Sequence, residues 1–245
     1  MIKYDNHLKI FYSSLINDGF YFSGFSTKEL GDGRKIGVIF DFFKKNNLQF
    51  RKIVVLEQIH SANIIFFESS SNDRVFEKIS DTDGIITKEK NTILVVRSAD
   101  CLPLVFVEKE TGIIAISHQG WRGSIKRMAQ KMIDKIVEVG GKKEKIIVAF
   151  GPAIGQCCYH IDEDRYYQFK EEFDGYSDKI FSYRRGKIFL NLGLLNYLLL
   201  LEKGIDKRKI DFFPFCTKCD KKRFFSFRRD SKKDYGEMFN FIFKN

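Results

Sequence analysis

The chain has 245 residues, 44% of them hydrophobic, enough to bury a sizeable core as a single domain over 1–245, and no linker, repeat or low-complexity tract divides it. No apolar run reaches the ~18 residues of a membrane span, and the opening M-I-K-Y-D lacks the apolar core of a signal peptide, so a cytoplasmic protein is expected. Five cysteines, an odd number, argue against a disulfide framework, and the net charge of +10 comes without any helix-turn-helix, RNP or zinc-finger pattern that would aim it at a nucleic acid.

In chain order, residues 33–46 read as a helix, 53–56 as an apolar strand ending in E-Q-I-H, and 64–67 as a further strand. An apolar run over 102–107 leads out, the charged segment 108–112 makes a hairpin connection, and 113–116 returns. Helical spacing of Ile125, Met128, Met132, Ile133, Ile136 and Val137 predicts a helix over 123–139, with both methionines in the core. A strand at 145–150, helices at 162–173 and 190–203, and strands at 209–213 and 238–243 complete a mixed α and β pattern.

The hairpin places Cys101 and His118 at the open ends of adjacent strands. A thiol beside an imidazole reads as a metal site, as a nucleophile with its base, or as a buried thiol next to a satisfied strand-end histidine. His60, one of only four histidines in the chain, also follows a strand and supplies a third donor. One thiolate and two imidazoles match a catalytic zinc site, which keeps a position open, better than a structural site with four protein ligands.

The segments L-E-Q-I-H-S-A, R-S-A-D-C-L-P-L, S-H-Q-G-W-R-G, F-G-P-A-I-G-Q-C-C-Y and C-T followed by F-F-S-F-R-R-D occur in one order along the chain. In that order they resemble the YfiH-like purine nucleoside phosphorylases, a family long labelled laccase-domain or multicopper polyphenol oxidase proteins. The resemblance runs nearly end to end. It implies an α+β fold, a layered α/β/β/α sandwich with mixed sheets similar to the deamidating domain of cytotoxic necrotizing toxins. It also implies zinc held by His60, Cys101 and His118, the same residues that the donor count selects, with copper able to compete for such donors. Laccase chemistry is disfavoured, because four histidines cannot furnish several copper sites.

The reaction implied is phosphorolysis of adenosine, inosine, guanosine or methylthioadenosine, together with deamination of adenosine by water. Lys28, Arg122, Arg228 and Arg229 are candidates for holding phosphate, with arginine the better geometric match. Asp100, beside Cys101, is a candidate for orienting an imidazole or for capping the following turn. The chain departs from the family pattern at Lys28, where arginine is usual, at His160, where an acid is usual, and at Glu237, where a basic residue is usual. A competing reading is a metal-independent cysteine hydrolase or amidase built on Cys101 and His118, with His60 as the discriminating residue, or a hydrolase that edits peptidoglycan precursors.

The basic clusters, among them 142–145, 207–209, 221–223, Arg228-Arg229 and Lys232-Lys233, read as solvated surface able to steer phosphate-bearing substrates. Cys216-Thr217-Lys218-Cys219 has no second pair to complete a four-cysteine zinc site and reads as two thiols near a turn, and Cys157-Cys158 as packing.

Overall fold

A computed structural model describes residues 1–69, 74–230 and 235–245, which leaves the Lys232-Lys233 cluster outside the described residues. The fold is α+β with two large mixed sheets. One has seven strands in the order Ile2–Asp5, Ile10–Ser13, Tyr21–Ser26, Met238–Lys244, Thr92–Ser98, Lys52–Leu56 and Phe76–Ile79. The other has six, Ile210–Asp211, Ile146–Phe150, Leu102–Glu108, Ile113–Gln119, Gly84–Thr87 and Ile64–Phe67. Parallel pairs occur where a helix or loop crosses over, as between Lys52–Leu56 and Thr92–Ser98, and antiparallel pairs where a hairpin suffices.

Strand alternation divides the apolar residues between two cores. Val54, Leu56, Leu94, Val96 and Ile242 face the six-stranded sheet, whereas Ile53, Val55, Ile93, Val95 and Phe241 pack under Ile39, Phe42 and Phe43 of the helix Ile36–Lys45. On the far side of the six-stranded sheet lies the helix Met128–Glu138, whose Met128 and Met132 are fully buried, as their spacing predicts. Gly84 leaves the room that Met128 fills, since a Cβ there would stand 2.5 Å from Met128 Cε. A third apolar cluster joins the helices Glu163–Glu172 and Leu192–Glu202 to a small sheet of His160–Ile161, Lys187–Leu190 and Phe181–Arg184.

Two elements differ from their sequence expectation. The helix expected over 123–139 begins at Trp121 and breaks into Trp121–Ile125 and Met128–Glu138, because Arg127 turns left-handed at φ 57°. Its guanidinium is held by Glu172 at 2.7 Å and lies over the Phe173 ring, contacts a continuous helix would not aim the same way. The strand expected over 209–213 is only Ile210–Asp211. Among the described residues no helix is long and apolar enough to cross a membrane.

Candidate active site

The hairpin Leu102–Glu108 and Ile113–Gln119 pairs His118 with Pro103 and Gln119 with Leu102, which puts Cys101 and His118 side by side at its open end. The strand Lys52–Leu56 stops short of His60, which stands in a bend beyond it at φ 60°. The Cys101 thiol and one ring nitrogen each from His60 and His118 lie within 4.8 Å of one another, and the two imidazole rings meet edge to face at 4.8 Å. Gly120 permits this approach, for a Cβ there would come 3.0 Å from His60 Cδ2 and 3.4 Å from Cys101 Sγ.

A residue that sequence reasoning missed arranges all three. Asp83, fully buried before the strand Gly84–Thr87, accepts from His118 Nδ1 at 2.8 Å. It also accepts from the backbone N–H groups of Ile59, His60 and Ser61 and from Ser61 Oγ, so one carboxylate shapes the bend that carries the second imidazole. Burial alone would raise the Asp83 carboxyl, but the His118 and Ser61 hydrogen bonds outweigh it and hold the group down at about 2. Burial likewise opposes charge on Cys101 and His118; their mutual attraction wins, drawing the thiol down towards thiolate and the imidazole up towards imidazolium. The only sequence signal for Asp83 is an acid immediately before a glycine and an apolar run, S-D-T-D-G-I-I.

The donor set fits a zinc ion, with one soft thiolate and two imidazoles converging on one point. The Asp83 hydrogen bond at His118 Nδ1 leaves Nε2 as the free ring nitrogen, the arrangement of a carboxylate–histidine–metal relay.

Beside this cluster opens a cavity of about 420 Å³, large enough for a nucleoside. Arg97, Arg122, Arg165 and Arg228 line it, with Trp121, Tyr159, Phe227 and Tyr235 as aromatic faces and Glu237 as an acid. Arg122 and Arg165 both lie over the Trp121 ring, at 4.4 and 4.5 Å. Arg97 Nε and Arg165 Nε are buried with no hydrogen-bond partner among the described residues. Glu237, where the family usually carries a basic group, stands 3.7 Å from Arg97 Nε.

Not every candidate faces this cavity. Lys28 donates instead to the carbonyl of Lys221, and Arg229 spends its guanidinium on the carbonyls of Thr217, Lys218 and Phe224 and on Asp230. Both therefore brace loops. Asp100 does not orient an imidazole: its carboxylate accepts from Thr217 Oγ1 at 2.6 Å, Ser226 Oγ at 3.0 Å and Arg228 N at 2.7 Å. Asp83 occupies the role expected of it. Arg97 and Arg165 went unnoticed because isolated arginines in a basic chain carry no positional signal. His160 lies outside the cavity lining, contributing only its carbonyl to Arg228 Nη1.

The chain is similar to known proteins of one family. Residues 41–245 match the family model described as multi-copper polyphenol oxidoreductase laccase. The chain is 28% identical over 182 residues to adenosine deaminase RL5 of an unknown prokaryotic organism, covering 72% of this chain and 70% of that protein. It is 33% identical over 163 residues to the purine nucleoside phosphorylase YlmD of Bacillus subtilis, a match that spans 66% of this chain and only 58% of that relative. The crystal structure of YlmD from Geobacillus stearothermophilus superposes with a TM-score of 0.86 at 25% identity, covering 100% of this chain and 98% of that one. The copper in the family description finds no multinuclear donor set: among the described residues, His7 and His160 belong to no metal-capable group.

Proposed function

Because the chain belongs to the YfiH-like family of purine nucleoside phosphorylase-like proteins, we propose that it is a zinc-dependent purine nucleoside phosphorylase that also deaminates adenosine. The observation that carries this reading is the pair of buried Nε–H groups of Arg97 and Arg165, which make no hydrogen bond among the described residues, on the wall of a cavity that ends at His60, Cys101 and His118. Buried arginine donors without partners are built for an anion, and planar guanidinium groups suit phosphate.

Zinc held by His60, Cys101 and His118 would supply a Lewis acid at the inner end of the cavity. The chain's own residues do the rest. Arg97, Arg122, Arg165 and Arg228 hold orthophosphate and balance its charge as it approaches the anomeric carbon. The rings of Phe227 and Tyr235 offer faces for the purine, whereas Trp121 is already covered by Arg122 and Arg165 and helps to place their guanidinium groups. Burial, and then the charge of Cys101, push Tyr159 up to about 12, so its phenol keeps its proton and donates. Glu237 offers a carboxylate to ribose hydroxyls.

The test is chromatographic. Adenosine, inosine and guanosine are incubated with and without phosphate, and free base and ribose 1-phosphate are quantified. Base release should require phosphate, whereas conversion of adenosine to inosine should not. Arg228→Ala should depress phosphorolysis at least ten-fold more than deamination, about the worth of one charge-assisted contact. No phosphate-dependent release from any purine nucleoside would overturn the reading.

One observation favours a second reading. Cys101, His118 and Asp83 form a nucleophile, base and orienter in series, the arrangement of a cysteine hydrolase. Such an enzyme would ignore chelators, and Cys101 would alkylate rapidly in the metal-loaded protein. The zinc reading requires loss of activity on chelation, recovery with zinc, and slow alkylation of Cys101 until the metal is removed.

A further inference from the structure

Away from the cavity, four thiols that the sequence scatters over more than sixty positions come together. Cys157 and Cys158 follow Gly155 in one loop, and Cys216 and Cys219 lie in another; the four sulfurs are all within 4.8 Å of one another. Cys219 Sγ is 3.5 Å from Cys157 Sγ and 3.4 Å from Cys158 Sγ. The two loops are joined by a parallel bridge between Ala153 and Cys216 and by the bond from Thr217 N to Ala153 O at 3.0 Å. The C-x-x-C thus has its second pair, supplied by the neighbouring loop.

We propose that Cys157, Cys158, Cys216 and Cys219 form a second, structural metal site that holds one zinc ion through four thiolates. Three features support it. A zinc–sulfur bond of about 2.3 Å sets tetrahedral ligands roughly 3.8 Å apart, a value inside the 3.4 to 4.8 Å spanned by the observed separations. Cys219 is almost equidistant from two partners, so the cluster does not resolve into one disulfide pair, and all five cysteines are free. Gly155 N donates to Cys216 Sγ at 3.2 Å, the kind of backbone contact that stabilises a coordinated thiolate. Four thiolates on a divalent ion leave two negative charges, and Lys221 and Lys222 line the same surface hollow as Cys216 and Cys219.

The placement gives the site a purpose. Ile154 and Tyr159, on one thiol loop, line the active cavity, and Thr217, on the other, donates to Asp100 beside Cys101. Arg229 fastens the carbonyls of Thr217 and Lys218. A closed four-thiolate site would lock two loops whose side chains shape the catalytic cavity, with each thiol surrendering its proton on binding.

The experiment measures metal in the whole chain, purified under reducing conditions, by elemental analysis, and repeats it after cobalt substitution. The wild type should carry about two zinc ions. The variant His60→Ala/Cys101→Ala should keep one, and its cobalt form should show sulfur-to-cobalt charge-transfer absorption with the strong visible bands of a tetrahedral thiolate site. Cys216→Ser/Cys219→Ser should lose that ion and absorption. A His60→Ala/Cys101→Ala protein that folds yet holds no metal, or a disulfide among the four cysteines in the freshly purified wild type, would overturn the proposal. Should zinc be absent from the active cavity instead, the wild type and His60→Ala/Cys101→Ala would both carry one ion, so the two sites fail independently.

Discussion

Asp83 controls more of the active site than any residue with a direct claim on the substrate, since it orients one imidazole and shapes the bend bearing the other. Asp83→Asn should therefore weaken zinc binding by about 10- to 100-fold, measured by competition with a chelating dye. In the metal-free protein the same residue carries a pH signature. Its carboxyl sits at about 2 in the fold against an ordinary 3.8, so its contribution is complete above that ordinary value and disappears as pH falls through about 2. That difference is worth on the order of 2 kcal/mol. Denaturant melts of Asp83→Asn should consequently show a flatter pH dependence between about 4 and 2 than the wild type. Gly120→Ala makes a narrower test: its Cβ, 3.0 Å from His60 Cδ2, would displace the imidazole, and turnover should fall by roughly ten-fold or more with little change in melting temperature. Cys101 and His118 were legible because a hairpin brings its own ends together, and His60 because histidines are scarce here. Asp83 was not, because what marks a carboxylate as an orienter is its partners, and those come from residues over twenty positions distant.

Helices with one apolar stripe announced themselves through their periodicity, and their caps link them to the cavity. Asp162 caps the helix Glu163–Glu172 by accepting from Arg165 N at 2.8 Å and stands 3.5 Å from Arg165 Nη2, while Arg165 Nε, on the cavity wall, makes no hydrogen bond among the described residues. Removing the cap in Asp162→Ala should cost ~1 kcal/mol. It should also raise the KM for phosphate more than it lowers kcat, which steady-state kinetics at varied phosphate would reveal. Strands of the seven-stranded sheet were less visible. Thr92–Ser98 is apolar on both faces, because a helix covers one side and the second sheet the other, so it shows no alternation of the kind that marks a half-exposed strand. The break at Arg127 was hidden for the opposite reason. Apolar spacing runs on across it, and no glycine advertises the left-handed turn that distant acids at Glu172 and Glu202 help to hold.

At the scale of the whole molecule, the charge of +10 and the arginine-lined cavity act in the same direction on an anionic reactant. Some of the peripheral basic residues are paired locally, Lys142 and Lys145 with Glu110 and Arg208 with Asp206. The apparent KM for phosphate should therefore rise as salt shortens the Debye length towards ~3 Å at 1 M, with kcat changing far less. Phosphate titrations at several ionic strengths, with an uncharged nucleoside held saturating, would measure the slope.

The position of Met238–Lys244 in the seven-stranded sheet also dictates an order of events in biosynthesis. That strand lies between Tyr21–Ser26 and Thr92–Ser98, bonded to both. Until residue 244 has been synthesised, the two neighbours present open hydrogen-bonding edges and the core beneath Phe241 has no roof. The nascent polypeptide can form the hairpin bearing Cys101 and His118 early, from local contacts, yet the larger sheet closes through its middle only after Met238–Lys244 has left the ribosome. Chaperone capture of the nascent chain should accordingly persist until Met238–Lys244 has been synthesised, and deletion of that segment should yield aggregates rather than a smaller folded protein.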